Sequence, residues 1–280
     1  MAFSDSATLR PPLLTQHSAM LTVRSVIFNV LFYLNLIILM VLGLPTMFGG
    51  RRAVFALARL WGRISVWLLE RICGLRLEYR GLENIPLGGV VIASKHQSFL
   101  ETFALLRYAP DFAIILKRQL TFVPFFGLYL IVSEQIAIDR SRGPQALQQI
   151  VAAAKPVLAA GRQIMIYPEG TRRPPGAPPK YKHGVAAIYA ETDAPCLPVA
   201  VNTGLFWRRR TFLRRPGIAV IEYLPPIAPG LGRAAFAREL QNAIETACAH
   251  LNSEAVGRDP SLEAVVAEGS RYEAPAKHSA

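Results

Sequence analysis

Short apolar stretches of strand length recur from Leu75 onward, with helical segments between them. The stretches are Leu75–Tyr79, Gly89–Ser94, Phe112–Leu116, Gln135–Ile138, Gln163–Tyr167, Cys196–Val201 and Ile218–Tyr223. The run Val90-Val91-Ile92-Ala93-Ser94 is apolar or small at every position, as expected of a strand covered on both faces. Among the intervening segments, Pro144–Ala160, Val185–Glu191 and Arg233–Leu251 read as helices. Parallel neighbours need a crossover that packs on the sheet. The alternation therefore predicts an α/β domain with a largely parallel central sheet flanked by helices.

In such a domain, functional groups gather where strands end. Ser94 is followed by Lys95-His96-Gln97-Ser98-Phe99-Leu100-Glu101, Ile138 by Asp139-Arg140, and Ile166 by Tyr167-Pro168-Glu169-Gly170-Thr171-Arg172. One histidine at a strand end is ordinarily a satisfied structural residue; polar clusters at several strand ends outweigh that reading. His96 and Glu101 lie about 140° apart on a regular helix, so they would not share a face. They meet if His96 lies on the turn before a helix and Glu101 lies in its first turns, pointing back. A carboxylate on one imidazole nitrogen fixes the tautomer and leaves the other nitrogen to take a proton. That is general-base chemistry on a hydroxyl or water.

His96 to Glu101 and Glu169-Gly170-Thr171-Arg172 together resemble the paired signatures of the glycerolipid acyltransferases, specifically the 1-acylglycerol-3-phosphate acyltransferases. The first family motif is a histidine, four arbitrary residues and an aspartate. Here the acid is Glu101, and Lys95 stands where an asparagine is often found. The second signature matches fully. Lys117 before Pro124 and Gly127, then Ile138-Asp139-Arg140, then Leu197-Pro198-Val199 follow in the family's order, so the likeness runs from about Gly81 to Val201.

The resemblance implies that His96 is the general base for the free hydroxyl of a lysophospholipid, with Glu101 orienting its imidazole. The hydroxyl attacks the thioester carbonyl of the donor, acyl carrier protein or coenzyme A, and no further cofactor is implied. Ser98 and Thr171 are conceivable acyl carriers, yet no G-x-S-x-G elbow occurs, which favours direct transfer. By the same resemblance Arg172 binds the acceptor's phosphate, for which a planar guanidinium fork is suited. Lys117 is its partner and Arg140 a second-tier candidate. Glu169, Gly170 and Thr171 complete the substrate-binding signature. Glu169 shapes the turn or holds Arg172, and Gly170 permits the backbone conformation there. No two histidines have metal-ligand spacing. The alternatives are another lysolipid acceptor such as a lyso-ornithine lipid, a membrane-anchored hydrolase with His96 activating water, and a lipid-binding module.

The chain ahead of this domain is of another kind. Ser25–Leu44 carries no charge and matches the ~20 apolar residues that cross a bilayer, with Asn29 and Asn35 interrupting it. Pro45 and Gly49-Gly50 end that helix. Arg51-Arg52, Arg59 and Arg63 then recur beside Leu57, Leu60, Trp61, Ile64, Trp67 and Leu68, giving a basic amphipathic helix to about Cys73. Lysine and arginine number 31 against 19 acidic residues, a formal charge of +12, and 52% of the chain is hydrophobic. Basic and apolar together point to anionic membrane phospholipids. No zinc-finger spacing or RNA-binding signature supports nucleic acid. The positive flank Arg51-Arg52 places the active site on the cytoplasmic side of the inner membrane.

The expected organisation is a flexible N-terminus over 1–22, membrane-associated helices over 23–73, the acyltransferase domain over 74–252 and a polar tail over 253–280. Cys73, Cys196 and Cys248 are odd in number and lack a CxxC pair, so they read as small buried hydrophobes in a reducing compartment. Trp207 to Arg215 interleaves arginines with aromatic and aliphatic residues, a patch for lipid phosphates or an acidic partner.

Overall fold

Strands form where the apolar runs lie, within two residues at each end. They are β1 (Leu75–Arg80), β2 (Val91–Ser94), β3 (Phe112–Lys117), β4 (Ile136–Ile138), β5 (Gln163–Ile166), β6 (Cys196–Val201) and β7 (Gly217–Tyr223). The computed structural model describes residues 13–109, 111–139 and 143–272. One sheet runs in the order β1-β7-β6-β2-β5-β3-β4. From β6 to β4 all neighbours are parallel; β7 lies antiparallel to β6 and pairs in parallel with β1. The largely parallel sheet of the sequence reading is present.

Helices α1 (Leu13–Leu42), α2 (Gly50–Leu68) and α3 (Leu100–Ala104) precede α4 (Phe126–Val132), α5 (Pro144–Ala159) and α6 (Gly184–Ala190). The long α7 (Arg233–Arg258) and α8 (Glu263–Ser270) close the chain. Side chains alternate across a strand, so β2 sends Ile92 to one core and Val91 and Ala93 to the other. Ile92 packs with Met165, Leu197 and Val199 beneath Phe28, Phe32 and Phe103 of α1 and α3. Val91 and Ala93 pack with Ile164, Ile188 of α6 and Leu240 and Ile244 of α7. Because β5 inserts on one side of β2 and β6 on the other, three strand ends meet at a switch in strand order, where open α/β sheets form a crevice.

The stretch Ala19–Leu42 of α1 is long and apolar enough, by length and composition, to cross a membrane. Lipid does not surround it on all sides, because Ser25, Phe28 and Phe32 form a stripe buried against the domain. Phe32 meets Trp61, Phe99, Phe103 and Trp207 at ring-centroid distances of 5.6–6.1 Å. The two asparagines also face protein. Asn35 donates to Ser65 Oγ of α2 at 3.2 Å, and Asn29 donates to the Phe212 carbonyl at 2.8 Å. Ile27, Val30, Leu34, Ile38 and Val41 are exposed.

Two expectations need correction. The N-terminus is helical from Leu13, so the flexible segment does not extend to residue 22; residues 1–12 lie outside the described residues. Residues 253–272 are not a tail. Leu251 and Ala255 lie one turn apart on α7, Leu262 and Val265 follow after that helix ends, and all four are buried although the composition around them is polar. Arg51 also pairs with Asp111 at 3.0 Å and Glu134 at 2.6 Å, clamping α2 to the loops before β3 and β4.

Candidate active site

His96 lies on the turn between β2 and α3, and Glu101 lies in the first turn of α3, as the spacing requires. Its carboxylate is fully buried and points back. Oε1 accepts from the backbone N–H of Gln97 and of Ser98, each at 2.7 Å, and lies 2.9 Å from His96 Nδ1. Oε2 accepts from Thr203 Oγ1 at 2.7 Å. Both N–H donors lie on the turn ahead of α3, so the turn that carries His96 also satisfies Glu101. Against an ionised carboxylate Nδ1 carries the hydrogen, which leaves Nε2 with its lone pair.

The imidazole stacks on Tyr167, with centroids 3.8 Å apart and planes 15° from parallel. Its side chain retains 16% exposure, the only open edge of an otherwise enclosed dyad. Burial, and then the Glu101 charge, push the Tyr167 phenol well above its usual range, so it stays protonated beside the imidazole. Backbone N–H groups stitch the converging loops together. Arg173 N–H donates to the His96 carbonyl at 2.8 Å, and Gly204 N–H donates to Gln97 Oε1 at 3.1 Å.

Behind the dyad, Lys95 points to the opposite face of the sheet. Its ammonium is buried, 3.2 Å from Glu169 and 2.7 Å from Glu245 of α7. Burial works against the Lys95 charge, but Glu169 and then Glu245 outweigh it, and the ammonium is held above its ordinary range. Burial pushes the Glu169 carboxyl up, with Lys95 opposing. Glu169 therefore does not hold Arg172. It sits beneath the site against Lys95 and, at 3.3 Å, Arg173. Gly170 turns the chain at φ +66°, a conformation that favours glycine.

Arg172 is half-buried and Thr171 exposed on the turn that follows β5. Burial, then Arg209, lower the Arg172 guanidinium below its ordinary range; Arg210 acts in the same sense and Glu101 against it. Arg209 donates to the Arg172 carbonyl at 3.1 Å. The loop that carries Arg209 is anchored by Arg214, whose guanidinium stacks 3.9 Å over Trp207 and donates to Asn29 Oδ1 at 2.7 Å. Burial pushes Arg214 down to about 10. Lys117 ends β3 with its side chain exposed, one strand beyond β5. Asp139 follows β4 at the sheet edge, and Arg140 lies outside the described residues.

Sequence reasoning missed Thr203 and Glu245. Thr203 carried a signal of the kind used elsewhere, since Asn202-Thr203 is a polar pair directly after an apolar strand. Glu245 carried none, being one acidic residue on a long polar helix.

An acyltransferase family model matches residues 76–202. The chain is 40% identical over 184 residues to a 1-acyl-sn-glycerol-3-phosphate acyltransferase of Pseudomonas aeruginosa, covering 65% of this chain and 72% of that protein. It is 30% identical over 191 residues to a protein of the same name from Borreliella burgdorferi, covering 67% and 74%. The fold is that of the crystal structure of the 1-acyl-sn-glycerophosphate acyltransferase PlsC from Thermotoga maritima. The TM-score is 0.68 at 21% identity, over 82% of this chain and 97% of the other.

Proposed function

The chain belongs to the family of 1-acyl-sn-glycerol-3-phosphate acyltransferases, and from that premise we propose how it moves a fatty acyl group onto the free hydroxyl of a lysophosphatidate. His96 Nε2 takes the hydroxyl proton as the hydroxyl oxygen attacks the thioester carbonyl carbon. The tetrahedral intermediate collapses with loss of the thiolate, which takes the proton back from Nε2, so phosphatidate and free thiol leave together. The observation that carries this reading is the 2.9 Å contact between His96 Nδ1 and a fully buried Glu101. A carboxylate so enclosed fixes the tautomer before substrate arrives and supports the imidazolium while it exists.

Arg172 reads the acceptor's phosphate. Its half-burial beside Arg209 and Arg210 gathers positive charge that an anion relieves, and a phosphate monoester brings about −1.5 to −2 charges. Lys117 adds a further cation from the end of β3. The donor is an acyl carrier protein or coenzyme A thioester. The enzyme works at the inner membrane from its cytoplasmic side, held by the exposed apolar face of α1 and by the basic surface of α2, where Arg52, Arg63 and Trp67 are exposed.

The test is incubation of the purified full chain with a labelled acyl thioester and separate acceptors. Labelled phosphatidate from lysophosphatidate is the expected product. Free fatty acid alone would make the protein a hydrolase, and faster acylation of lyso-ornithine lipid would assign it a different acceptor.

A further inference from the structure

The segment that joins β3 to β4 is not built as a soluble loop. Connections on a wetted surface are rich in Gly, Pro, Asn, Asp and Ser, yet Leu120 to Ile131 holds no charged residue and three phenylalanines. Phe122 is 71% exposed, Ile131 62% and Leu128 51%. Large apolar side chains grouped in this way mark an interaction surface, whereas scattered ones do not.

The segment is also rigid. A Cβ on Gly127 would lie 2.0 Å from the Thr121 carbonyl, so the start of α4 is pressed onto the preceding turn. Phe125 adopts φ +61°, a strained conformation for an L-residue, while its side chain stays about half exposed. Strain that holds an aromatic ring in water is unusual unless something else covers it.

We propose that Leu120–Ile131 is a second lipid-inserting element, through which the catalytic domain itself dips into an anionic phospholipid surface beside α1. Two observations commit it to lipid. First, it continues the exposed apolar face of α1: the Tyr129 hydroxyl of α4 donates to the Met40 carbonyl at 2.8 Å, and Ile37, Ile38 and Val41 are exposed close by along the helix. Second, the cations Lys117 and Arg118 stand exposed at its base, with Arg118 6.0 Å over the Phe122 ring. Cations bordering an apolar patch suit anionic headgroups above acyl chains. In a two-fold contact the same patch of a second copy would bring like charges together. The element sets the end of β3, and hence Lys117, at headgroup depth. This inference stands apart from the chemistry assigned to His96.

The three native cysteines are buried, so an introduced exposed thiol can be labelled selectively. The full chain is reconstituted in phosphatidylethanolamine–phosphatidylglycerol vesicles with an environment-sensitive fluorophore on Phe122→Cys, on Ile131→Cys, or on Asp193→Cys. Asp193 is exposed before β6, at the starts of the parallel strands, whereas Phe122 follows the end of β3. Labels at 122 and 131 should lose most of their emission when the lipids carry brominated chains and should resist aqueous iodide; the label at 193 should behave oppositely. Iodide quenching at 122 and 131 equal to that at 193 would overturn the proposal. So would labels shielded from iodide but untouched by bromine, which would place a protein partner there.

Discussion

At the scale of single residues, the charge of Glu101 is held in place by two backbone N–H groups, Thr203 and His96. Glu101→Gln keeps the size but removes the charge, and kcat should fall by about 10² or more, with the fold retained. Glu101→Asp keeps the charge but withdraws it by a methylene, so its loss should be smaller though measurable. Full activity in a folded Glu101→Ala enzyme would remove the dyad from the mechanism. Arg172→Ala should lower kcat/KM for lysophosphatidate by about ten- to a hundred-fold, the worth of one charge-assisted bond. Arg172→Lys should not restore it, because an ammonium lacks the bidentate fork. Equal losses on lysophosphatidate and lyso-ornithine lipid would make Arg172 structural. The pairing of His96 with Glu101 was legible because both lie on one strand-to-helix turn. The partners that complete the site were not: Thr203 reaches Glu101 from 102 residues away, and Glu245 reaches Lys95 from 150.

Among the elements, Lys95 joins the loop after β2, the loop after β5 and α7 through two carboxylates. Lys95→Met would leave Glu169 buried without its ammonium, and unfolding free energy should drop by roughly 3–5 kcal/mol. Denaturant melts check this; an unchanged midpoint would mean that the pair contributes nothing. Asn29→Leu makes the mirror test on α1. It should cost about 1–3 kcal/mol by leaving the buried Arg214 guanidinium short of an acceptor. Strand positions were legible because a buried strand is a compact apolar run. Their order was not, since pairing β2 between β5 and β6 is decided by packing across the whole sheet. Asn29 and Asn35 look like flaws in an apolar run until their partners on α2 and the arginine-rich loop are seen. The last turns of α7 and all of α8 escaped notice because a few apolar residues, Leu262 and Val265 among them, suffice to seat a mostly polar segment.

For the whole molecule, α1 is a wall of the core and, in the proposed function, also the anchor. Salt washing should leave the protein on membranes while detergent releases it, because salt screens only the electrostatic part of attachment. Release by salt alone would contradict an inserted apolar face. Deleting Met1 to Arg52 should do more than free the domain. It uncovers Phe99, Phe103 and Trp207 and removes the Arg51 clamp, so the remainder should melt earlier and aggregate. Direct acyl transfer itself stands or falls on His96. The decisive measurement compares initial rates of phosphatidate formation by wild type and His96→Ala, reconstituted in the same vesicles and matched in melting temperature. A loss of about 10²–10⁴-fold is expected for removal of a general base, whereas near-normal turnover by the folded His96→Ala chain would contradict the mechanism.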